Sequence, residues 1–442
     1  MTATTSSRTD HFSGHLTVPG DKSISHRALM FAASAVGDSR VTGLLEGEDV
    51  MATAGALRVL GADIAKQRDG AWMVAGRGVG GLREPARILD LGNAGTGVRL
   101  LMGLVASHPF NSMFAGDESL SARPMERVMA PLRRMGVAFT ARSGGLLPLT
   151  VHGSDMLMPI EETLSVASAQ VKSAILLAGL NTRGKTTVIE TAPSRDHTEN
   201  MLKYFGANIE VDDIREGRAI TISGYPELEA RDIQVPADIS SAAFPLVAGL
   251  LCPGGVTVDN VSLNPLRTGL LDCLKEMGAK VTIANERISG GEAIGDISVE
   301  EGSLSGVTVP ADRAPSMIDE YPILAIAAAC ADGDTVLEGV GELRVKESDR
   351  LSTIADGLTT CGVDVEETED SLTIHGRGQA PKGGGRIATH LDHRIAMSFL
   401  VLGMVTKAPI TIDDGTPIAT SFPSFVELMN GAGAQFSEGT SL

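Results

Sequence analysis

The 442-residue sequence is poor in aromatic side chains, with 1 Trp, 3 Tyr and 11 Phe, so it offers no series of rings on which nucleobases could stack. It also lacks a basic surplus. Its 37 Lys and Arg stand against 55 Asp and Glu, a net charge of −18, which works against binding of nucleic acid or an anionic membrane surface. Long apolar runs are missing too: Tyr321 to Cys330 and Ile395 to Val405 are about half the roughly 20 residues that a bilayer-spanning helix needs. Cysteine is scarce, and Cys252, Cys273, Cys330 and Cys361 show no CxxC spacing, so reduced, buried thiols are expected rather than a disulfide framework or a metal site. Residues 1–14 are polar, without the apolar segment of a secretory signal, and are expected to form a flexible tail on a cytoplasmic protein.

What the chain does contain is a repeat. Six segments share the pattern apolar-x-x-x-Gly followed by a strand-like stretch. Their glycines are Gly61, Gly136, Gly206, Gly278, Gly362 and Gly433, spaced by 75, 70, 72, 84 and 71 residues. Each reads as a helix end, a glycine in the left-handed cap position and entry into a strand. Roughly 40 residues before each glycine lies a second helical stretch, rich in small residues and apolar almost all round, as buried helices are. Length alone suits about three domains, but six repeats pair off as three and three. The related tetrapeptides Val18–Asp21 and Val235–Asp238 lie 217 residues apart, and a third copy is Val309–Asp312. The expected division is residues 1–20 with 236–442 in one domain and 21–235 in the other, with a proline-stiffened hinge near 19–21 and 235–238.

The polar residues that break the apolar pattern fall in the first turns of the buried helices: Lys22, Ser23 and Arg27; Asn93 and Thr96; Ser168, Gln170 and Lys172; Asp238; Asp319 and Glu320; Asp392, His393 and Arg394. The second helices add Arg123, Arg195, Arg267 and the run Arg344–Arg350, in which Lys346 and Arg350 are expected on one helical face. Cations at helix starts oppose the helix dipole, so an anionic ligand explains them better than a solvated face does. Gly179–Thr186 fits the GxxxxGK[ST] pattern, but it follows a helical stretch and precedes a strand, the reverse of a phosphate-binding loop. A turn is expected there, with an NTPase as the lesser alternative. Gly92–Gly97 lacks the GxGxxG order of a dinucleotide site. Asp392 and His393 have no accompanying ligand or triad spacing, so no metal is expected.

The strings PGDKSISHRAL (Pro19–Leu29), LGNAGTG (Leu91–Gly97), RPM (Arg123–Met125), SAQVKSA (Ser168–Ala174), RVKESDR (Arg344–Arg350) and LDHRIAM (Leu391–Met397) resemble the 5-enolpyruvylshikimate-3-phosphate synthases, in order, from about residue 15 to 436. VASAQVKSA and RDHTE (Arg195–Glu199) resemble the bacterial class II branch in particular. The resemblance implies an α/β fold of two domains, each with three βαβαββ units in an inside-out barrel, closing on substrates at the cleft between them. It implies transfer of the enolpyruvyl group of phosphoenolpyruvate to the 5-hydroxyl of shikimate 3-phosphate, with release of phosphate. No cofactor or metal is implied, and the enzyme is expected to be a cytoplasmic monomer.

By the same resemblance, Lys22, Ser23, Arg27, Ser168, Ala169, Gln170, Arg195, Asp319 and Lys346 would hold shikimate 3-phosphate. Lys22, Gly95, Arg123, Gln170, Arg350 and Arg394 would hold phosphoenolpyruvate. Asp319 matches the family's base, and Glu347 and Lys22 its proton donors. Three positions depart from the common pattern. Ala169 stands where a second serine is usual, and Thr420 stands where many relatives carry a lysine. Gly95 stands where glyphosate-tolerant class II relatives often carry alanine, so the herbicide is expected to inhibit. The sister enolpyruvyl transferases acting on UDP-N-acetylglucosamine generally place a cysteine or aspartate in a mobile loop before Arg-Pro. The corresponding Ala115–Pro124 has no cysteine, and Arg344–Arg350 favours the shikimate acceptor.

Overall fold

The computed structural model describes residues 2–439, so Met1 of the expected tail lies outside them. The chain divides into two compact units: residues 1–19, 237–287 and 293–442 in the first, and 20–236 with 288–292 in the second. Each unit has its own apolar core, as a domain able to bury its own surface requires.

Among the described residues, six four-stranded sheets account for the strands. In the second unit the repeat is plain in the run 161–223: strand Glu161–Leu164, helix Ala169–Leu180, strand Lys185–Glu190, helix His197–Tyr204 and strands Ile209–Ile214 and Gly217–Ser223. The first two strands pair in parallel, and the remaining pairings are antiparallel. A parallel pair needs a crossover, which the buried helix supplies, and the last two strands form a hairpin. All six helix-ending glycines have positive φ, from 83° at Gly362 to 118° at Gly433. That is the conformation an unbranched backbone adopts at low cost.

Three helices form the centre of each unit: Lys22–Ser34, Gly95–Ala106 and Ala169–Leu180 in the second, and Ile239–Leu251, Tyr321–Cys330 and His393–Gly403 in the first. Their small residues allow close approach. A Cβ at Gly103 would fall 2.2 Å from the Ala174 carbonyl oxygen, so these two helices meet backbone to backbone. The thiols of Cys252, Cys273 and Cys361 are buried and that of Cys330 partly so, all free. Burial pushes Cys252, Cys330 and Cys361 up to about 12. No helix among the described residues is long and apolar enough to cross a membrane.

The flexible tail expected at residues 1–14 is not what the structure contains. Thr4–Ser7 forms a strand between Ile410–Ile412 and Gln435–Glu438, and Phe12–Leu16 pairs in parallel with Gly254–Val258. The two segments fill places that the sixth and fourth repeats leave open, as Ile233–Gln234 does for the first. The inward positions of the first strand are Thr4 and Ser6 rather than large apolar residues. A Cβ at Gly403 would fall 2.6 Å from that of Ser6, so only a small side chain fits against this helix.

Candidate active site

In the second unit, Asp21 accepts from the Ile24 amide at 2.9 Å and starts the helix on which Lys22, Ser23 and Arg27 lie. Lys22 Nζ is 2.6 Å from the Asp49 carboxylate. Arg27 is 2% exposed; its Nε donates to Thr198 Oγ1 at 2.8 Å, Nη2 to Ser173 Oγ at 2.8 Å and Nη1 to the Ser23 carbonyl at 2.9 Å. Burial lowers its guanidinium to about 10, with Glu199 opposing, so it stays charged at neutral pH. His26, one residue earlier, is buried against Thr53 and held down to about 3, chiefly by desolvation. It is a neutral core residue, not a ligand.

Gly95 opens the helix Gly95–Ala106. A Cβ there would meet Arg99 Nη1 at 3.0 Å and Arg123 Nη1 at 3.3 Å. Arg123 Nη2 donates to Asn93 Oδ1 at 2.9 Å and Ser119 Oγ at 3.0 Å. Burial, then the charges of Arg123 and Arg127, lowers Arg99 to about 10. Arginines thus crowd one helix start, where the amide dipoles already favour an anion. Arg99 was not among the expected residues, although its spacing of four from Gly95 places it one turn along the same face. Gln170 Nε2 donates to Thr96 Oγ1 at 3.0 Å, tying the first turns of two buried helices together. Ser168 caps the helix Ala169–Leu180 through the Val171 amide, and Ala169 is its first residue. Arg195, partly buried, lies just before His197–Tyr204.

Lys172, expected with these cations, is instead sealed in the interior. Its ammonium is completely buried, 2.6 Å from Glu199 and 2.9 Å from Glu190. Gly179–Thr186 is a turn from helix into strand, and Lys185 reaches across the surface to Glu210 at 3.1 Å, with no helix start beyond it to cradle a phosphate.

The first unit gathers Asp319, Lys346, Glu347, Arg350 and Arg394. Arg350 is fully buried and meets three carboxylates: Nε is 2.7 Å from Asp392, Nη1 is 3.3 Å from Asp319, and Nη2 contacts Glu347. Burial alone would lower its basicity, but Glu347, Asp392 and Asp319 together hold the guanidinium above its ordinary value. Arg394 Nη1 donates to the Asp319 carbonyl at 3.3 Å, and its Nε is 3.8 Å from the Asp319 carboxylate. Desolvation lowers Lys346, with Asp319 opposing.

Lys346 and Arg350 do not share a helical face as expected. Gly341–Val345 is a 3-10 turn, and the α-helix begins only at Arg350, because Asp349 turns its carboxylate onto the Ser352 amide at 3.1 Å and caps the helix there. Arg267 is 2% exposed and donates to Ser240 at 2.8 Å beside Asp238, which makes it a buried structural cation. Thr420 donates to the Pro417 carbonyl of its own turn at 2.8 Å and supplies no cation.

Residues 7–429 match the family described as EPSP synthase (3-phosphoshikimate 1-carboxyvinyltransferase). A 3-phosphoshikimate 1-carboxyvinyltransferase of Paramagnetospirillum magneticum is 59% identical over 434 residues, 98% of this chain and 97% of that protein. One from Granulibacter bethesdensis is 58% identical over 423 residues, 95% and 93% of the two chains. The structure of EPSP synthase from Acinetobacter baumannii superposes with a TM-score of 0.91 at 46% identity, covering all of both chains.

Proposed function

This chain belongs to the EPSP synthase family, a transferase of the shikimate pathway, and from that premise we propose how its residues divide the work. The reaction joins the 5-hydroxyl of shikimate 3-phosphate to C2 of phosphoenolpyruvate while C3 takes a proton. Loss of a C3 proton and of phosphate then leaves the enolpyruvyl ether.

Lys22, Ser23, Arg27, Ser168, Ala169, Gln170 and Arg195 of the second unit, with Asp319 and Lys346 of the first, hold shikimate 3-phosphate. Lys22, Gly95, Arg123 and Gln170, with Arg350 and Arg394, hold phosphoenolpyruvate, whose carboxylate and phosphate suit the planar guanidinium fork. Asp319 takes the hydroxyl proton, and Glu347 and Lys22 deliver the proton to carbon. The two crossovers, near 19–21 and 235–238, serve as the hinge for closure, which excludes water from the reacting groups. Asp21 N donates to the Pro236 carbonyl at 2.7 Å and Asp238 N to that of Pro19 at 2.9 Å, which fixes the start of each following helix. The enzyme works as a monomer in the cytoplasm, on two small anions.

The observation that carries this reading is the concentration of Arg99 and Arg123 at the start of one helix in a chain of net charge −18. Like charges held together in a partly desolvated place favour an anion between them. The test is phosphate release on mixing the folded protein with phosphoenolpyruvate and shikimate 3-phosphate in the presence of a metal chelator. Release that needs both substrates supports the reading, and its absence refutes it.

A further inference from the structure

Each of two substrate-binding segments of the second unit contains a buried charge that the reaction does not use. Lys172 lies two residues beyond Gln170, and Glu199 four beyond Arg195. Their side chains meet: Lys172 Nζ is 2.6 Å from Glu199 Oε1 and 2.9 Å from Glu190 Oε2, and none of the three is more than 2% exposed. The same ammonium donates to the Ser194 carbonyl at 3.4 Å, the residue before Arg195, and Ser194 Oγ donates to Glu190. The neighbours of the pair converge on a third binding residue. Ser173 and Thr198 lie 2.6 Å apart, and each accepts a 2.8 Å hydrogen bond from Arg27.

A buried ion cluster is a poor way to gain stability, because desolvating each charge costs as much as pairing returns and apolar side chains of similar volume serve as well. Burial pushes the Glu199 carboxyl above its ordinary value, with Lys172 opposing, so the arrangement is held against a desolvation cost. What ions supply that apolar packing does not is a unique register between the segments they join.

We propose that Lys172 and Glu199 are positioning residues for shikimate 3-phosphate: their buried pair sets the segment bearing Ser168 and Gln170 against the one bearing Arg195, and through Ser173 and Thr198 it orients Arg27. The proposal rests on the substrate assignment above. It accounts for Lys172 and Glu199 being charged although neither is more than 2% exposed. It also explains why Arg27, 2% exposed, keeps both remaining edges of its guanidinium on hydroxyls rather than on carboxylates.

The test measures shikimate 3-phosphate binding by calorimetry on the full chain, without phosphoenolpyruvate, and the KM for phosphoenolpyruvate by phosphate release, for Glu199→Gln and for Val188→Ala. Glu199→Gln leaves Lys172 paired with Glu190, and Val188, 0% exposed on the neighbouring strand, lies outside the cluster. Both lower Tm. Glu199→Gln raises the Kd for shikimate 3-phosphate about tenfold and leaves the KM for phosphoenolpyruvate within about twofold, whereas Val188→Ala leaves both unchanged. A parental Kd in Glu199→Gln, or an equal loss of affinity in Val188→Ala, overturns the proposal. If Glu199→Gln does not fold, Thr198→Val, which keeps the ion pair and removes one hydroxyl from Arg27, must raise the same Kd; no change there overturns it equally. Failure of the unaltered protein to bind shikimate 3-phosphate would remove the substrate assignment itself, and the proposal with it.

Discussion

Adding one methyl group at Gly95 tests the proposed anion site separately from the fold that carries it. Gly95 does not have positive φ, so alanine fits the backbone, and the smaller entropy of the unfolded chain stabilises the variant by up to about 1 kcal/mol. The new Cβ would lie 3.0 Å from Arg99 Nη1, 3.3 Å from Arg123 Nη1 and 3.7 Å from Leu120 Cδ1. Ordinary contact begins near about 3.5 Å, so Arg99 must withdraw by about half an ångström and Arg123 by a few tenths. In the site proposed above, Arg123 is then displaced from phosphoenolpyruvate, with Arg99 shifted beside it. Loss of one charge-assisted hydrogen bond is worth about 1.5–3 kcal/mol, which becomes about a 10- to 150-fold rise in the KM for phosphoenolpyruvate. The inhibition constant of glyphosate, which is expected to fill the same space, should rise at least as far. Phosphate release at varied phosphoenolpyruvate, with and without the herbicide, measures both, and a thermal melt checks that Tm has not fallen. A Gly95→Ala enzyme with both constants within about twofold of the parent would refute the reasoning, because the methyl would then have moved neither arginine.

Glu347→Gln should lower kcat by about 10²- to 10⁴-fold, the usual loss for a proton-transfer group, while calorimetric binding of shikimate 3-phosphate persists; a kcat near that of the parent would contradict the assignment. Lys185→Ala should leave phosphate release unchanged and cost at most about 1 kcal/mol in a denaturant melt, because its ion pair with Glu210 is exposed; loss of activity would reopen the NTPase reading. Desolvation lowers Lys346, so its ammonium gives up its proton earlier than an exposed lysine as pH rises. Affinity for shikimate 3-phosphate should weaken on the alkaline side and persist further in Lys346→Arg; parallel profiles would exclude the role. His26 stays neutral in the folded state down to about 3 against 6.5 for an exposed ring, while the unfolded chain takes up a proton between the two. Stability should therefore fall as pH drops below about 6.5, by about 2 kcal/mol at about pH 5. In His26→Asn that share of the slope should vanish, and equal slopes in denaturant melts would count against it.

The sixfold repeat is legible in the sequence because each repeat must end a helix in the left-handed region, and a glycine every 70 to 84 residues records that need. The buried helices are legible from composition, since a helix surrounded by others has no polar face. The motifs supplied the family, and the cations at the helix starts are the basis of the anion site proposed above. Two kinds of feature were not legible. Thr4–Ser7 carries no apolar alternation because its inward residues pack on glycines, Ser6 on Gly403 and Thr4 on Gly415, so its place in a sheet depends on segments about 400 residues away. Lys172 and Lys22 look alike in the sequence, each a cation in the first turns of a buried helix, yet one is sealed between Glu190 and Glu199 and the other is partly exposed beside Asp49. Local sequence determined which residues begin helices and carry charge. Only the tertiary structure decided which of those charges neutralise one another, as Lys172 does with Glu190 and Glu199, because pairing depends on distances between segments that spacing along the chain does not contain.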